Sequence, residues 1–230
     1  MQNGDQTINI FSIFRSINGE VCRPGQGSWA TFIRFAGCNL KCDYCDTEYA
    51  QSFTSGHEWT IDRIIKTVHN LKCSNVTITG GEPLAQKGLK DLIRRLLSFN
   101  FKISIETNGS FPIIDHFPTE RVSWVVDYKL PSSGANQQMA SVKPWTQLTR
   151  HDYIKFVIDT SNRVDYDIAL SKLNQFWSEG VMAQMVFSPI LSGTLNSPPN
   201  ILYKWMQENQ LFQVLLNVQL HKLISLEEPD

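Results

Sequence analysis

The sequence predicts an α/β fold, a partial (β/α) barrel of about six parallel strands with an N-terminal extension. Three observations predict it. Short β-branched and aromatic runs recur along the chain, amphipathic stretches at helical spacing lie between them, and the unusual motifs follow the ends of the runs. Candidate strands cover residues 29–36, 75–79, 102–106, 122–127, 153–158, 181–187 and 213–218. Ile61, Ile64, Ile65, Val68 and Leu71 mark a first helix with Thr60 placed to cap it. Leu89, Leu92, Ile93, Leu96 and Leu97 mark a second. Ser161 is placed to open a third, with Val164, Ile168 and Phe176 on its apolar face, and Pro198-Pro199 suits the first turn of a fourth. Strands separated by helices pair in parallel through right-handed crossovers. Six or seven such units fit a partly open barrel better than a five-stranded sheet, and the ligand site belongs at the C-terminal ends of the strands. Residues 131–138 read as a long loop within one domain, so residues 1–230 are expected to form a single domain.

The composition excludes several function classes. With 42% hydrophobic and 19% charged residues the chain is ordinary for a soluble globular protein. A formal net charge of −1 gives no electrostatic reason for binding nucleic acid or an anionic membrane. No apolar run approaches the roughly 18 residues of a membrane-spanning helix. The stretch Met1-Gln2-Asn3-Gly4-Asp5-Gln6 lacks the layout of a secretory signal, so a cytoplasmic enzyme is expected. Of the five cysteines, three fall within eight residues, a poor disulfide framework and a common metal or redox pattern.

Those three form a C-x3-C-x2-C loop, Cys38-Asn39-Leu40-Lys41-Cys42-Asp43-Tyr44-Cys45, just past the first candidate strand. Gly37 permits the sharp turn into it. Two readings of the spacing stand open. Three thiolates can each take one iron of a [4Fe–4S] cluster, whose usual complement is four cysteines, leaving one iron for an exogenous ligand. Alternatively, Cys42 and Cys45 form a zinc knuckle completed by Cys38 and a histidine, of which His57 is the nearest in sequence. Cys22 and Cys73 read as small packing residues, with Cys22 the one candidate for a fourth ligand.

A second strand end bears on this choice. Val76-Thr77-Ile78-Thr79 runs into Gly80-Gly81-Glu82-Pro83, where adjacent glycines admit a ligand close to the backbone and Glu82 can receive an amino group. With both motifs present, about 35 residues apart, the chain resembles the radical S-adenosylmethionine superfamily. The resemblance implies a cluster at Cys38, Cys42 and Cys45 whose open iron binds S-adenosylmethionine through its amine and carboxylate. One electron then splits the cofactor to a 5′-deoxyadenosyl radical that abstracts hydrogen from substrate. No side chain is expected to act as the catalyst, since the cofactor supplies the radical.

Further segments narrow the resemblance. Phe14-Arg15-Ser16-Ile17-Asn18-Gly19-Glu20, Thr31-Phe32-Ile33-Arg34 running into the cysteines, Cys45-Asp46-Thr47, Ile105-Glu106-Thr107-Asn108-Gly109 and Gln219-Leu220-His221-Lys222 are similar to motifs of the 7-carboxy-7-deazaguanine synthases. Asn18 stands where that family usually has glutamine. The resemblance implies contraction of 6-carboxy-5,6,7,8-tetrahydropterin to 7-carboxy-7-deazaguanine with loss of ammonia, S-adenosylmethionine being regenerated. It also implies Mg2+, bound with the help of Thr47, for which a hard cation with oxygen ligands is apt.

Carried over position by position, Ile17, Asn18 and Gly19 contact the pterin largely through backbone, Arg34 its carboxylate, and Thr79 the substrate again. Gly80, Gly81, Glu82 and Glu106 serve S-adenosylmethionine, with Tyr44 against adenine. Asp127-Tyr128-Lys129 stands at a family Ser-Pro-Lys and Ser188-Pro189 at a family Gln-Pro, so the adenosine contacts are placed on Asp127, Tyr128, Lys129 and Ser188 with only Lys129 and Pro189 unchanged. Family members commonly end soon after His-Lys, and their terminal carboxylate reaches the pterin. Here the Glu227 side chain stands at the matching distance from His221. The resemblance further implies a homodimer and an electron donor such as flavodoxin or ferredoxin. Two other readings compete: an activating enzyme that forms a glycyl radical on a partner protein, and a non-enzymatic zinc module.

Overall fold

The computed structural model describes residues 6–113, 117–118, 120–139, 143–192 and 195–226. The elements run β1 (Thr7–Ile17), β2 (Trp29–Phe35), β3 (His57–Thr60), α1 (Ile61–Asn70), β4 (Asn75–Thr79), α2 (Leu89–Ser98), β5 (Lys102–Thr107), β6 (Val122–Lys129), β7 (Tyr153–Ile158), α3 (Arg163–Ser178), β8 (Gln184–Pro189), β9 (Leu191–Ser192), β10 (Leu195–Asn196), α4 (Pro199–Glu208), β11 (Leu215–Leu216) and α5 (Leu220–Leu223). One sheet has the order β11-β8-β7-β6-β5-β4-β2-β1-β3. From β2 to β11 every neighbouring pair is parallel, while β1 is antiparallel to both β2 and β3. The expected partial barrel is therefore present, with its N-terminal extension as an antiparallel edge.

Strand periodicity builds both the core and the site. In β2, β4, β5, β6, β7 and β8 alternate residues join one apolar core: Ile33 and Phe35, Val76 and Ile78, Ile103 and Ile105, Trp124 and Val126, Ile154 and Phe156, Met185 and Phe187. That core also takes the buried faces of α1 (Ile64, Ile65, Val68) and α2 (Leu92, Ile93, Leu96). The intervening residues point to the other face, and most are polar: Arg34, Thr77, Thr79, Ser104, Glu106, Ser123, Asp127, Lys129, Lys155 and Ser188, with Phe32, Val125, Val157 and Val186 among them. A parallel sheet buried on both sides ordinarily reads as continuous apolar runs. Here one face is largely polar, and that face holds the cavities.

Several expectations need correction. The third helix is capped by Asn162, whose side chain accepts from Val164 N, while Ser161 bonds Asp159. Its buried face carries Asp165, Tyr166, Ala169, Leu173 and Phe176, and Val164 is exposed. Asp165 disguises that face: its carboxylate is buried because it accepts from Ser132 N and Asp159 N. The strand expected at 181–187 begins at Gln184, because Val181 N still bonds Phe176 O at the end of α3. The last strand shrinks to Leu215–Leu216. Among the described residues no α-helix follows β5 or β6, where Pro112, Pro118, Pro131 and Pro144 interrupt the connections. The expected long loop at 131–138 is two short 3-10 turns.

Candidate active site

The cysteine loop leaves β2 at Gly37, whose φ of +97° suits a residue without Cβ. Gly37 N and Cys38 N donate to Ala50 O at 2.8 Å and Gln51 O at 2.9 Å, so the loop closes on a 3-10 turn, Glu48–Ala50. The strand end at β4 locks onto it: Glu82 N donates to Gly37 O at 2.9 Å. A Cβ on Gly81 would lie 2.2 Å from that same carbonyl oxygen, so the two backbones are too close for any side chain. Cys38, Cys42 and Cys45 are half-buried and line one cavity with Gly80 and Gly81. Burial pushes the Cys38 and Cys42 thiols up, opposed at Cys42 by Lys129. Cys22 and Cys73 are buried and lie off this cavity, and His57 is exposed on β3. Among the described residues no three His, Cys, Asp or Glu side chains converge as ligands of one metal ion. Three thiols line one cavity whose described wall carries no histidine and no fourth cysteine, a donor set that fits a multi-iron cluster with an open corner.

A second cavity adjoins the first, and Glu20, Asp46, Thr47, Thr79, Glu106 and Gln219 face both. Its far side is Phe14, Ile17, Gly19, Arg34, His221 and Leu226. Arg34 is buried, donates to the Tyr49 hydroxyl, and lies 5.5 Å and 5.4 Å from the Phe14 and Tyr49 ring centres. Beneath both cavities runs an ion network. Asp127 meets Lys129 at 2.8 Å and Lys155 at 3.1 Å, and Lys155 also pairs with Glu20. Burial disfavours the charged forms of Asp127, Lys129 and Lys155. The ion pairs override it, holding Asp127 below its ordinary value and Lys129 and Lys155 above theirs.

Glu106 lies next to this network. Burial first, then the Glu20 carboxylate, raise it to about 7, and Thr79 Oγ1 donates to it at 2.6 Å. From its ordinary value of 4.5 up to about 7, the folded chain holds a proton here that the unfolded chain releases. Glu106 thus contributes stability at low pH that is lost as pH rises through that window. Glu106→Gln is expected to flatten the fall in urea midpoint between pH 5 and 7, measured on the cofactor-free chain.

The C-terminal segment forms one wall of the cavities. Gln219 donates to Glu20 at 2.7 Å, Leu220 N to Gly19 O at 2.8 Å, and Lys222 to Asp46 at 2.6 Å. Burial alone would pull Asp46 up, but Lys222 and the Thr47 hydroxyl bring it down to about 2.

The chain matches the Radical SAM superfamily model over residues 32–125. It is 36% identical to the 7-carboxy-7-deazaguanine synthase of Clostridium acetobutylicum, covering 92% of this chain and 93% of the relative. To that of Koribacter versatilis it is again 36% identical, covering 94% and 96%. This chain belongs to the 7-carboxy-7-deazaguanine synthase family. Its fold also matches the crystal structure of QueE from Escherichia coli, with TM-score 0.68, 21% identity, and coverage of 93% of this chain and 94% of that one. Streptococcus suis SuiB bound to S-adenosylmethionine matches at TM-score 0.53 and 16% identity, over 78% of this chain and 44% of that one. Radical SAM membership implies a [4Fe–4S] cluster and S-adenosylmethionine. The activating-enzyme and zinc-module alternatives are left without support.

For a 7-carboxy-7-deazaguanine synthase family member, most of the expected residues come together. Tyr44, Thr47, Thr79, Gly80, Gly81, Glu106, Asp127, Lys129 and Ser188 line the first cavity with the three cysteines, and Ile17, Gly19 and Arg34 the second. Three do not. Asn18 lies off both walls: its side chain bonds Ser28 and Thr77, and its backbone N and O bond Ser28 and Gly27. Glu82 is fully buried and does not line the cavity, accepting from Leu84 N, Thr107 Oγ1 and Asn108 N. Tyr128 points to the helix side, edge-on to Trp145 at 5.7 Å and Phe176 at 5.9 Å, because alternation along β6 sends it opposite to Asp127 and Lys129. Glu227 lies outside the described residues. Sequence reading assigns no role to Glu20, Asp46, Lys155, Gln219, His221 and Lys222, all of which face a cavity. Lys155 carries a signal, a lysine between Ile154 and Phe156 in a strand. The others lie within the segments 14–20, 45–47 and 219–222, whose motifs mark the family without saying which side chains face inward.

Proposed function

We propose that this chain contracts 6-carboxy-5,6,7,8-tetrahydropterin to 7-carboxy-7-deazaguanine, releasing ammonia and requiring Mg2+. The observation that carries this reading is the shared wall: a thiol-lined cavity and an Arg34-lined cavity meet at Glu20, Asp46, Thr47, Thr79, Glu106 and Gln219. S-Adenosylmethionine bound at the cluster supplies the hydrogen-abstracting radical. The chain's own residues place the pterin against it. Arg34, braced by Phe14 and Tyr49, holds the substrate carboxylate. Ile17 and Gly19 present backbone to the pterin, and Thr79 fixes its near edge. Gly80 and Gly81 give S-adenosylmethionine access to bare backbone, with Tyr44, Asp127, Lys129 and Ser188 around the adenosine. Glu106, raised by burial toward neutrality, faces both cavities and in its protonated form can donate a hydrogen bond to either. Thr47 would help hold Mg2+, which would neutralise the substrate carboxylate. A Mg2+ that keeps water and substrate ligands needs no preformed protein cage, and the oxygens of Glu20, Asp46 and Glu106 share the wall with Thr47. A cytoplasmic homodimer of single-domain chains, reduced by flavodoxin or ferredoxin, completes the proposal. No helix among the described residues is long and apolar enough to cross a membrane.

The test is anaerobic reconstitution with reductant, S-adenosylmethionine, Mg2+ and the carboxytetrahydropterin, followed by detection of the deazaguanine. Product is expected, and Thr47→Ala is expected to raise the Mg2+ needed for half-maximal rate at least tenfold, a loss of about 1.4 kcal/mol. Cofactor cleavage with no deazaguanine would assign another substrate.

A further inference from the structure

Glu82 and Asn108 together have a use that the substrate reading does not absorb. Asn108 is buried and is the first residue past β5. Its backbone N donates to Glu82 Oε2 at 2.7 Å, and its neighbour Thr107 donates to Glu82 Oε1 at 2.7 Å. Glu82 therefore pins the end of β5 behind the cysteine loop. The Asn108 side chain has its orientation fixed by what it meets. Oδ1 accepts from Ser110 N at 3.0 Å and from Ser110 Oγ at 2.6 Å. A backbone N–H can only donate, so the amide oxygen must face it and the NH2 must face the other way. That NH2 lies 3.7 Å from Cys38 Sγ and 3.0 Å from Asn39 Oδ1. Asn39 in turn donates to Ser110 Oγ at 2.9 Å, closing a ring that holds the amide in place.

We propose that Asn108 sets the reduction potential of the cluster by donating a hydrogen bond to the Cys38 thiolate, with Glu82 as the residue that positions it. This rests on the cluster reading above. When a low-potential donor adds one electron, negative charge on the cluster's sulfurs grows, and an N–H aimed at a sulfur stabilises the reduced form over the oxidised one. No other cysteine of the loop has a side-chain amide donor among the described residues, so the effect is directed at one corner.

The experiment is a potentiometric titration of the reconstituted protein without substrate, followed by the electron paramagnetic resonance of the reduced cluster. Three variants are compared with the unaltered chain. Asn108→Ala removes the donor and is expected to lower the reduced-to-oxidised ratio several-fold at a fixed potential. Asn108→Asp keeps the shape and the Ser110 contacts while replacing the donor with a charged oxygen. It is expected to lower the ratio at least tenfold, about 59 mV for a one-electron couple. Asn39→Ala loses only the outer partner and should stay within about twofold of the unaltered chain, well below the tenfold step. Asn108→Ala and Asn108→Asp clusters of full iron content that titrate with the unaltered chain would overturn the inference. Iron and sulfide analysis of the unaltered chain keeps the two ideas apart: absent sulfide there sinks the cluster reading itself, before any variant is made.

Discussion

Lys155→Met is expected to destabilise the fold by about 3–5 kcal/mol, the cost of removing one partner from a buried ion network. The lysine side chain is 8% exposed and stands between Glu20 and Asp127, which are 15% and 21% exposed. Methionine fills the volume but leaves Glu20 facing Glu106 with no cation between them. Asp127 keeps Lys129, so the loss falls mainly on the carboxylates at the shared wall. Urea denaturation at neutral pH measures the change. Because the stranded carboxylates can take up protons, the deficit should shrink as pH is lowered toward 5. A Lys155→Met variant as stable as the unaltered chain at neutral pH would show that the network contributes nothing to the fold.

The second large effect is expected from Gly81→Ala. Here φ is +36° and the new Cβ would meet the Gly37 carbonyl oxygen at 2.2 Å and its carbon at 2.7 Å. Both obstacles are backbone, so neither can rotate aside. The left-handed conformation alone costs about 1–2 kcal/mol for a residue with a Cβ, and the collision adds displacement of Gly37, which carries the turn into Cys38. The variant should therefore retain less iron per chain after reconstitution and bind S-adenosylmethionine at least tenfold more weakly, a loss of about 1.4 kcal/mol. Gly19→Ala offers a contrast: its Cβ would meet the His221 ring, a side chain able to move. It should leave iron content intact. Equal iron loss in both variants would show that the Gly81–Gly37 approach has no special part in holding the loop.

How much of the molecule is legible in the sequence follows from the range of the interactions involved. Helices α1, α2 and α4 are legible because their periodicity and first-turn residues are local. Thr60 caps α1 by accepting from Arg63 N, and Pro199 opens α4. The cysteine loop and the glycine pair are legible because each is a short motif at a strand end. β1 escapes sequence reading although Ile8, Ile10 and Phe14 are buried, since its alternation is broken by a register shift between Ile10 and Ser12. The face of α3 misleads because a buried aspartate looks like a solvent residue until its two backbone partners are seen. Tyr128 and Glu82 mislead for a related reason. Motif position places a residue near the site, but only strand phase and hydrogen-bond partners decide which way it points. Lys155 stands out locally as a lysine between Ile154 and Phe156, but its partner Glu20, 135 positions away, cannot be read from that position.

The bonds from Gln219 to Glu20 and from Lys222 to Asp46 span 199 and 176 positions. A chain growing on the ribosome at roughly 5–20 residues per second therefore presents its cysteine loop many seconds before this wall of the cavities exists. Iron loading during synthesis has an open door, and substrate has no finished pocket to enter. Helix α5 then completes the wall of a chamber whose metal can already be in place.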